Sequence, residues 1–184
     1  MIQPQRIKTP RLVLRKAEDG DLLSIWTNVW RDPGTAKTML WRPTPTLAEA
    51  VERLERTKAY QRDNHAFFAC LGDTGEAIGF GGVREYAPGA FDETGICVAE
   101  RFRRMGYGGE ILDALTGLVF GELGGEVFRY GCFRENAASA ALCRSAGFVY
   151  SHSERGVREW DGYEYLCDYY LLDREAYEKR RIRG

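Results

Sequence analysis

The chain has 184 residues, 44% hydrophobic and 29% charged, with a formal net charge of -1 at pH 7. That length suits a single domain over residues 1–184, able to bury a core without metal or disulfides. A charge so near zero excludes a general attraction to nucleic acid or to an anionic membrane surface.

Met1-Ile2-Gln3-Pro4-Gln5-Arg6 has no apolar signal core, and no run approaches the ~18 apolar residues of a membrane span. Arg11 to Arg15 reads as a short strand. Glu18, Asp19 and Asp21 suit the start of a helix, on which Leu22, Ile25, Trp26, Val29 and Trp30 form one apolar stripe. Pro33-Gly34 is expected to end it. Thr46 is placed to cap a second helix carrying Leu47, Val51 and Leu54 on one face.

Ala66 to Leu71 reads as a strand, Asp73-Thr74-Gly75 as a turn, and Ala77 to Tyr86 as the hairpin partner. Phe91 to Val98 reads as a third strand. Ile111, Leu112, Leu115, Leu118 and Val119 make a strong helical stripe. Glu126 to Phe133 is a strand, and Asn136 to Ala146 a short helix closed by Gly147. Phe148 to Tyr150 opens a strand, Asp161-Gly162 is a hairpin turn, and Tyr163 to Leu172 supplies the last strand. Lys179-Arg180-Arg181-Ile182-Arg183 reads as a solvated basic tail. The expected class is α/β (α+β): one domain with a mixed, mostly antiparallel sheet flanked by helices.

Cys70, Cys97, Cys132, Cys143 and Cys167 are odd in number and form no C-x-x-C pair. A disulfide framework is therefore not expected. With only His65 and His152 beside them, neither is a metal site. Reduced thiols and the absence of an export signal point to the cytoplasm.

The chemistry centres on Arg103-Arg104-Met105-Gly106-Tyr107-Gly108, between the strand Ile96-Cys97-Val98 and the long amphipathic helix. A helix start offers unpaired N–H groups and a positive dipole end, which together hold phosphate. Glycines clear the approach, and arginines add charge-assisted hydrogen bonds. Two rival nucleotide motifs fit worse. No G-x-x-x-x-G-K-[ST] run exists, and Ile111 stands where a dinucleotide fingerprint needs its third glycine.

Glu93-Thr94-Gly95-Ile96-Cys97-Val98, Arg103 to Gly108, and Asn136-Ala137-Ala138-Ser139 running on to Gly147-Phe148 resemble the GNAT superfamily of acetyltransferases. Lys8 to Arg15 and the ending from Arg158-Glu159 to Asp168-Tyr169-Tyr170-Leu171-Leu172 look like its ribosomal-protein-alanine acetyltransferase branch. The resemblance implies acetyl-CoA as cosubstrate. Pantetheine would pair with backbone at Ile96, Cys97 and Val98. Pyrophosphate would lie against Arg103, Arg104, Met105, Gly106, Tyr107, Gly108 and Gly109, with Asn136 touching the same arm or serving only as a helix cap.

Acetyl transfer needs a neutral amine, hence a proton acceptor. The resemblance offers Glu159 first and Glu93 second, although the hairpin after Glu159 is shorter than is usual for the family. Ser139 and Cys143 compete to protonate the departing thiolate. Cys143 stands where many family members carry a tyrosine, and its plain reading is a buried apolar residue. The resemblance also places the segments holding Trp26, Trp30, Trp41 and Tyr60 around the acceptor. Trp26 and Trp30 fit core packing, while Trp41 beside Arg42 and Pro43 suits a pocket. The expected partners are acetyl-CoA and an amine, either a peptide N-terminus or a small molecule. Neither nucleic acid nor membrane is expected, and the protein would be a monomer or homodimer. A catalytically silent acyl-CoA sensor on the same fold is the alternative.

Overall fold

The computed structural model describes residues 6–183, with the backbone alone described at Arg183. The reading of Met1 to Gln5 lies outside the described residues. In chain order the elements are β1 (Arg6–Lys8), β2 (Leu12–Arg15), α1 (Leu22–Ile25), α2 (Pro33–Ala36), α3 (Leu47–Asp63), β3 (His65–Leu71), β4 (Ala77–Ala87), β5 (Ala90–Glu93), β6 (Cys97–Val98), α4 (Tyr107–Gly117), β7 (Val127–Phe133), α5 (Ala137–Ser145), β8 (Val149–Arg158), β9 (Tyr163–Asp173) and α6 (Arg174–Arg183). Helices α1 and α4 run on as π-helical turns over Trp26–Trp30 and Leu118–Glu122.

The fold is α/β, with mixed but mostly antiparallel strand pairing. The residues form two compact units. One runs up to Gly82 and takes in Thr94–Ala114; the other holds Val83–Glu93 and the chain from Leu115 onward. In the first, β1 pairs antiparallel with β2, β2 with β3, and Gly79 and Phe80 of β4 with β6. Its core packs Ile25, Val29, Trp30, Ala50, Leu54, Phe68 and Cys70 together. Burying each of the larger side chains contributes about 1.5–3 kcal/mol. In the second unit, β5 pairs antiparallel with the end of β4 and parallel with β7; β7 with β9 and β9 with β8 are antiparallel. Phe128 and Tyr130 meet Phe148 edge-on, at centroid separations of 5.4 and 5.9 Å.

Several sequence expectations hold. Thr46 caps α3 in a reciprocal capping box with Glu49. Asn136 caps α5, accepting from the Ser139 N–H at 3.1 Å. Ile111, Leu112, Leu115, Leu118 and Val119 are all buried.

Three expectations need correction. Pro33-Gly34 does not simply stop a helix. Asp32 accepts from the N–H groups of Gly34 and Thr35, and Pro33, needing no N–H partner, starts α2. On α3, Leu47 and Val51 are 41% and 46% exposed; the buried face is Ala50, Leu54 and Gln61. Phe91 to Val98 is two strands rather than one. Gly95 lies between β5 and β6 at φ 112°, a backbone region that side chains with a Cβ avoid. The basic tail is solvated as expected and is also helical, ending α6, whose Tyr177 stacks on Phe120 at 4.7 Å. A lone run of positive charge carries no periodicity, so that helix was hidden in the sequence.

Candidate active site

Most residues singled out by sequence fall into two groups, each built inside one unit. In the first, β6 ends at Val98 and a 3-10 turn over Glu100–Phe102 leads into the arginine-glycine segment. Arg104 takes φ 61° and Gly106 φ 86°. A Cβ on Gly106 would stand 3.1 Å from Arg11 Nη2, so glycine relieves both backbone strain and crowding there. The first helical bond of α4 runs from the Glu110 N–H to the Gly106 carbonyl at 3.1 Å. The N–H groups of Tyr107, Gly108 and Gly109 stand ahead of it, where a helix offers them no acceptor.

Glu110 and Arg11 fix this helix start, and sequence reading missed both. Glu110 Oε1 accepts from Thr9 Oγ1 at 2.5 Å and the Arg11 N–H at 2.7 Å; its Oε2 accepts from Arg11 Nε at 2.8 Å. Arg11 Nη1 also donates to the Met105 carbonyl at 2.7 Å, and its guanidinium lies 4.4 Å from the Tyr107 ring centre. Burial works against the Glu110 charge, but bonds from Thr9 and Arg11 outweigh it and hold the carboxyl below its ordinary range. The one acid in the first turn of α4 is thus turned back onto the β1–β2 connection. An acidic residue three positions inside a glycine-led helix was the available clue.

Arg103 braces the segment. Its Nε donates to the Val98 carbonyl and its Nη2 to Thr35 Oγ1, both at 3.0 Å. Arg104 and Met105 are exposed. Free N–H groups, a positive helix end and a nearby exposed arginine fit a diphosphate. Cys97 is buried, and burial pushes its thiol up to about 12, so it is a packing residue in β6. Ile96 and Val98 are half-buried.

The second group gathers around Ser139 on α5. Ser139 Oγ lies 2.8 Å from the phenol of Tyr130 on β7. Ser139 also hydrogen-bonds Cys132, whose thiol burial still pushes up to about 11. Tyr130 is buried, and burial together with the charge of Glu93 keeps its phenol protonated far above the ordinary range. The Glu93 charge also acts on Cys132 and Cys167. Glu93 is half-buried at the end of β5, where that strand gives way to Gly95. Cys143 is fully buried and bonds the Ala140 carbonyl at 3.3 Å; burial pushes its thiol up to about 12. Glu159 belongs to a different place, exposed in the turn between β8 and β9 beside the Arg158–Asp161 pair at 2.6 Å. The structure therefore brings Glu93 and Ser139 into one cluster and leaves Glu159 outside it. Tyr130 was not foreseen, because a lone tyrosine in an alternating strand looks like packing.

A cavity of about 410 Å³ is lined by Trp41, Arg42, Thr44, Arg53, Arg56 and Tyr60 among others. Trp41 is thus a pocket residue, whereas Trp30 is 2% exposed in the core and Trp26 donates its indole N–H to the Thr44 carbonyl at 2.9 Å.

Residues 11–149 match the family model of the acetyltransferase (GNAT) domain. The chain belongs to the GNAT acetyltransferase family. No curated protein matches the sequence. Solved structures of low identity share the fold of this acetyltransferase. A GNAT-family acetyltransferase from Bacillus anthracis is 17% identical over 92% of this chain and 99% of its own, with a TM-score of 0.79. A protein assigned as a ribosomal-protein-serine acetyltransferase from Vibrio cholerae is 20% identical over 94% and 99%, with a TM-score of 0.78. One assigned to the GNAT acetyltransferases from Chromobacterium violaceum ATCC 12472 is 21% identical over 95% and 89%, with a TM-score of 0.81. The family uses acetyl-CoA as its acyl donor, and the protein is an N-acetyltransferase by that membership. Among the described residues no helix is long and apolar enough to cross a membrane.

Proposed function

We propose that residues 1–184 act as one cytoplasmic enzyme that moves the acetyl group of acetyl-CoA to a primary amine, on a peptide N-terminus or a small molecule, by direct attack. The single observation that carries the donor assignment is the start of α4, where three N–H groups without helical acceptors follow Gly106 and the only acid of the turn is held away by Arg11. Those N–H groups bind the diphosphate, with Arg104 beside them, and Arg103 holds the segment in shape. The backbone of Ile96 to Val98 is the hydrogen-bonding edge for pantetheine.

The donor supplies an electrophilic thioester carbonyl and a thiolate leaving group. Glu93 takes the proton of the attacking amine, directly or through water. What supports it over Glu159 is its half-buried place at the break between β5 and β6, with its charge acting on Tyr130 and Cys132 around Ser139. Ser139 passes a proton to the departing sulfur and takes one back from water, with Tyr130 fixing its hydroxyl. Cys143 is fully buried and bonds the Ala140 carbonyl, so it serves packing. Glu159 is the second reading for the base: its carboxyl is exposed and able to meet an incoming amine.

An acceptor screen tests the assignment by following free thiol release from acetyl-CoA over peptides, polyamines and aminoglycosides. The expected result is release with at least one amine. Tight acetyl-CoA binding with no release on any acceptor would leave a silent sensor.

A further inference from the structure

The cavity beside α3 plays no part in the proton chemistry above, and Arg53 is its unusual member. The Arg53 guanidinium lies over two indoles, 4.8 Å from the Trp30 ring centre and 4.5 Å from that of Trp41. Its Nη1 donates to Thr44 Oγ1 at 2.8 Å and to the Arg42 carbonyl at 3.4 Å. Its neighbours have counter-charges: Arg42 faces Glu49 at 3.5 Å, and Arg56 faces Glu52 at 3.8 Å. Among the described residues no carboxylate forms an ion pair with Arg53. Burial lowers its pKa to about 10, which leaves it charged at neutral pH. A half-buried cation lowers its free energy by meeting an anion. The rings around it relieve part of that cost by cation–π attraction.

A guanidinium presents a planar fork matched to carboxylate geometry. Arg53 lines the cavity, so an anion entering it becomes the missing counter-charge. One guanidinium cancels one unit of charge, and Arg42 and Arg56 are already engaged. A carboxylate monoanion therefore suits the site better than a phosphate dianion. Trp41 and Tyr60 add aromatic wall, which favours an apolar or aromatic body on the ligand.

We infer that this cavity is a binding site for a carboxylate monoanion on an apolar body, with Arg53 holding the carboxylate. The anion site stands apart from the acetyl-transfer reading and is measurable without it. The test titrates the full chain, free of acetyl-CoA, with 3-phenylpropanoate, its uncharged amide and phenyl phosphate, using calorimetry and tryptophan fluorescence. The carboxylate should bind at least tenfold more tightly than the amide and more tightly than the phosphate. Arg53→Met keeps alkyl packing against the indoles and should lose at least tenfold in carboxylate affinity. Thr44→Val frees the guanidinium and should lose about threefold to fivefold. Thermal melts and acetyl-CoA affinity of both variants should stay near those of the parent. If Arg53→Met fails to fold, the acid–amide comparison on the parent and the Thr44→Val loss still decide. Equal binding of acid and amide, preference for the phosphate, undiminished binding by folded Arg53→Met, or no binding of any probe overturns the inference. Carboxylate binding without acetyl transfer to any amine would instead count against the enzymatic reading while leaving the anion site standing.

Discussion

The start of α4 and the Ser139 cluster solve opposite problems. The first is an exposed surface made mainly of backbone. Its specificity lies in what is missing, namely side chains on glycine and acceptors for three N–H groups. The second is a buried knot of side chains in which Tyr130, Cys132 and Ser139 satisfy one another and all three remain protonated. A backbone site withstands loss of most single side chains but not the addition of a large one. A side-chain site behaves the other way round.

The largest effect should come from removing the base. Glu93→Gln keeps shape and loses the proton acceptor, so turnover should fall by roughly 10²–10⁴-fold. Acetyl-CoA affinity measured by calorimetry should stay near the parent value. Glu159→Gln, made in parallel, should change turnover little. The reverse ordering would move the base to the β8–β9 turn and detach it from the Ser139 cluster.

At the start of α4 the addition test comes next. Gly108→Glu puts bulk and negative charge among the free N–H groups. Acetyl-CoA affinity should drop by about 100-fold, the loss of one or two charge-assisted hydrogen bonds. The thermal melt should stay close to the parent's. A folded variant with unchanged affinity would remove the diphosphate from this turn.

Glu110→Gln probes the one place where the backbone site depends on a side chain. The variant weakens the bonds from Thr9 and Arg11 that aim the helix start, at a cost of about 1–3 kcal/mol in stability. The Glu110 carboxyl sits below its ordinary value of 4.5 in the folded chain. Its stabilisation is therefore fully present above that value and fades as pH falls through the lower folded value. Parent and variant melting temperatures should differ most near pH 7 and converge in strong acid. A gap that stays constant down to strong acid would mean that Glu110 acts by shape alone.

What was legible in the sequence follows the same division. The α4 turn was readable because its function is local: glycines and arginines ahead of an amphipathic stripe need no knowledge of distant residues. Its fixing by Arg11 was not readable, since Arg11 and Glu110 are 99 positions apart. Thr46, Asn136 and Gly147 were readable as caps because capping is local too. The break at Gly95 was concealed by residues on either side that both favour strands. The Ser139 cluster was half visible. Ser139 and Cys143 came from the family resemblance, but Tyr130 joins them from strand β7, which only the folded chain shows. Nothing in the sequence singled out Arg53, because its two indole neighbours come from elsewhere in the chain.

The smallest effect should be at the leaving group, and it tests whether the buried knot has a chemical role. A thiol of moderate acidity can depart unaided, so removing its acid should slow turnover by about tenfold or less, below the usual general-acid contribution. Ser139→Ala deletes the hydroxyl next to Tyr130 and leaves that buried phenol without its partner. Tyr130→Phe removes the other half of the pair while keeping the ring against Phe148. If Tyr130 positions the Ser139 hydroxyl, both variants should lower turnover to a similar degree, and the double variant should be no slower than either single one. Each should also lose about 1 kcal/mol of stability, the net worth of an ordinary hydrogen bond. Cys143→Ala empties a little space in the core and should lower the melting temperature while leaving turnover close to the parent's. Acetyl-transfer rates and thermal melts on the four proteins give the answer. Collapsed turnover in folded Cys143→Ala beside an active Ser139→Ala would make the cysteine the acid, despite a thiol held at about 12. Full activity in all four would mean that the thiolate leaves without help and that the Tyr130–Ser139 pair serves the core alone.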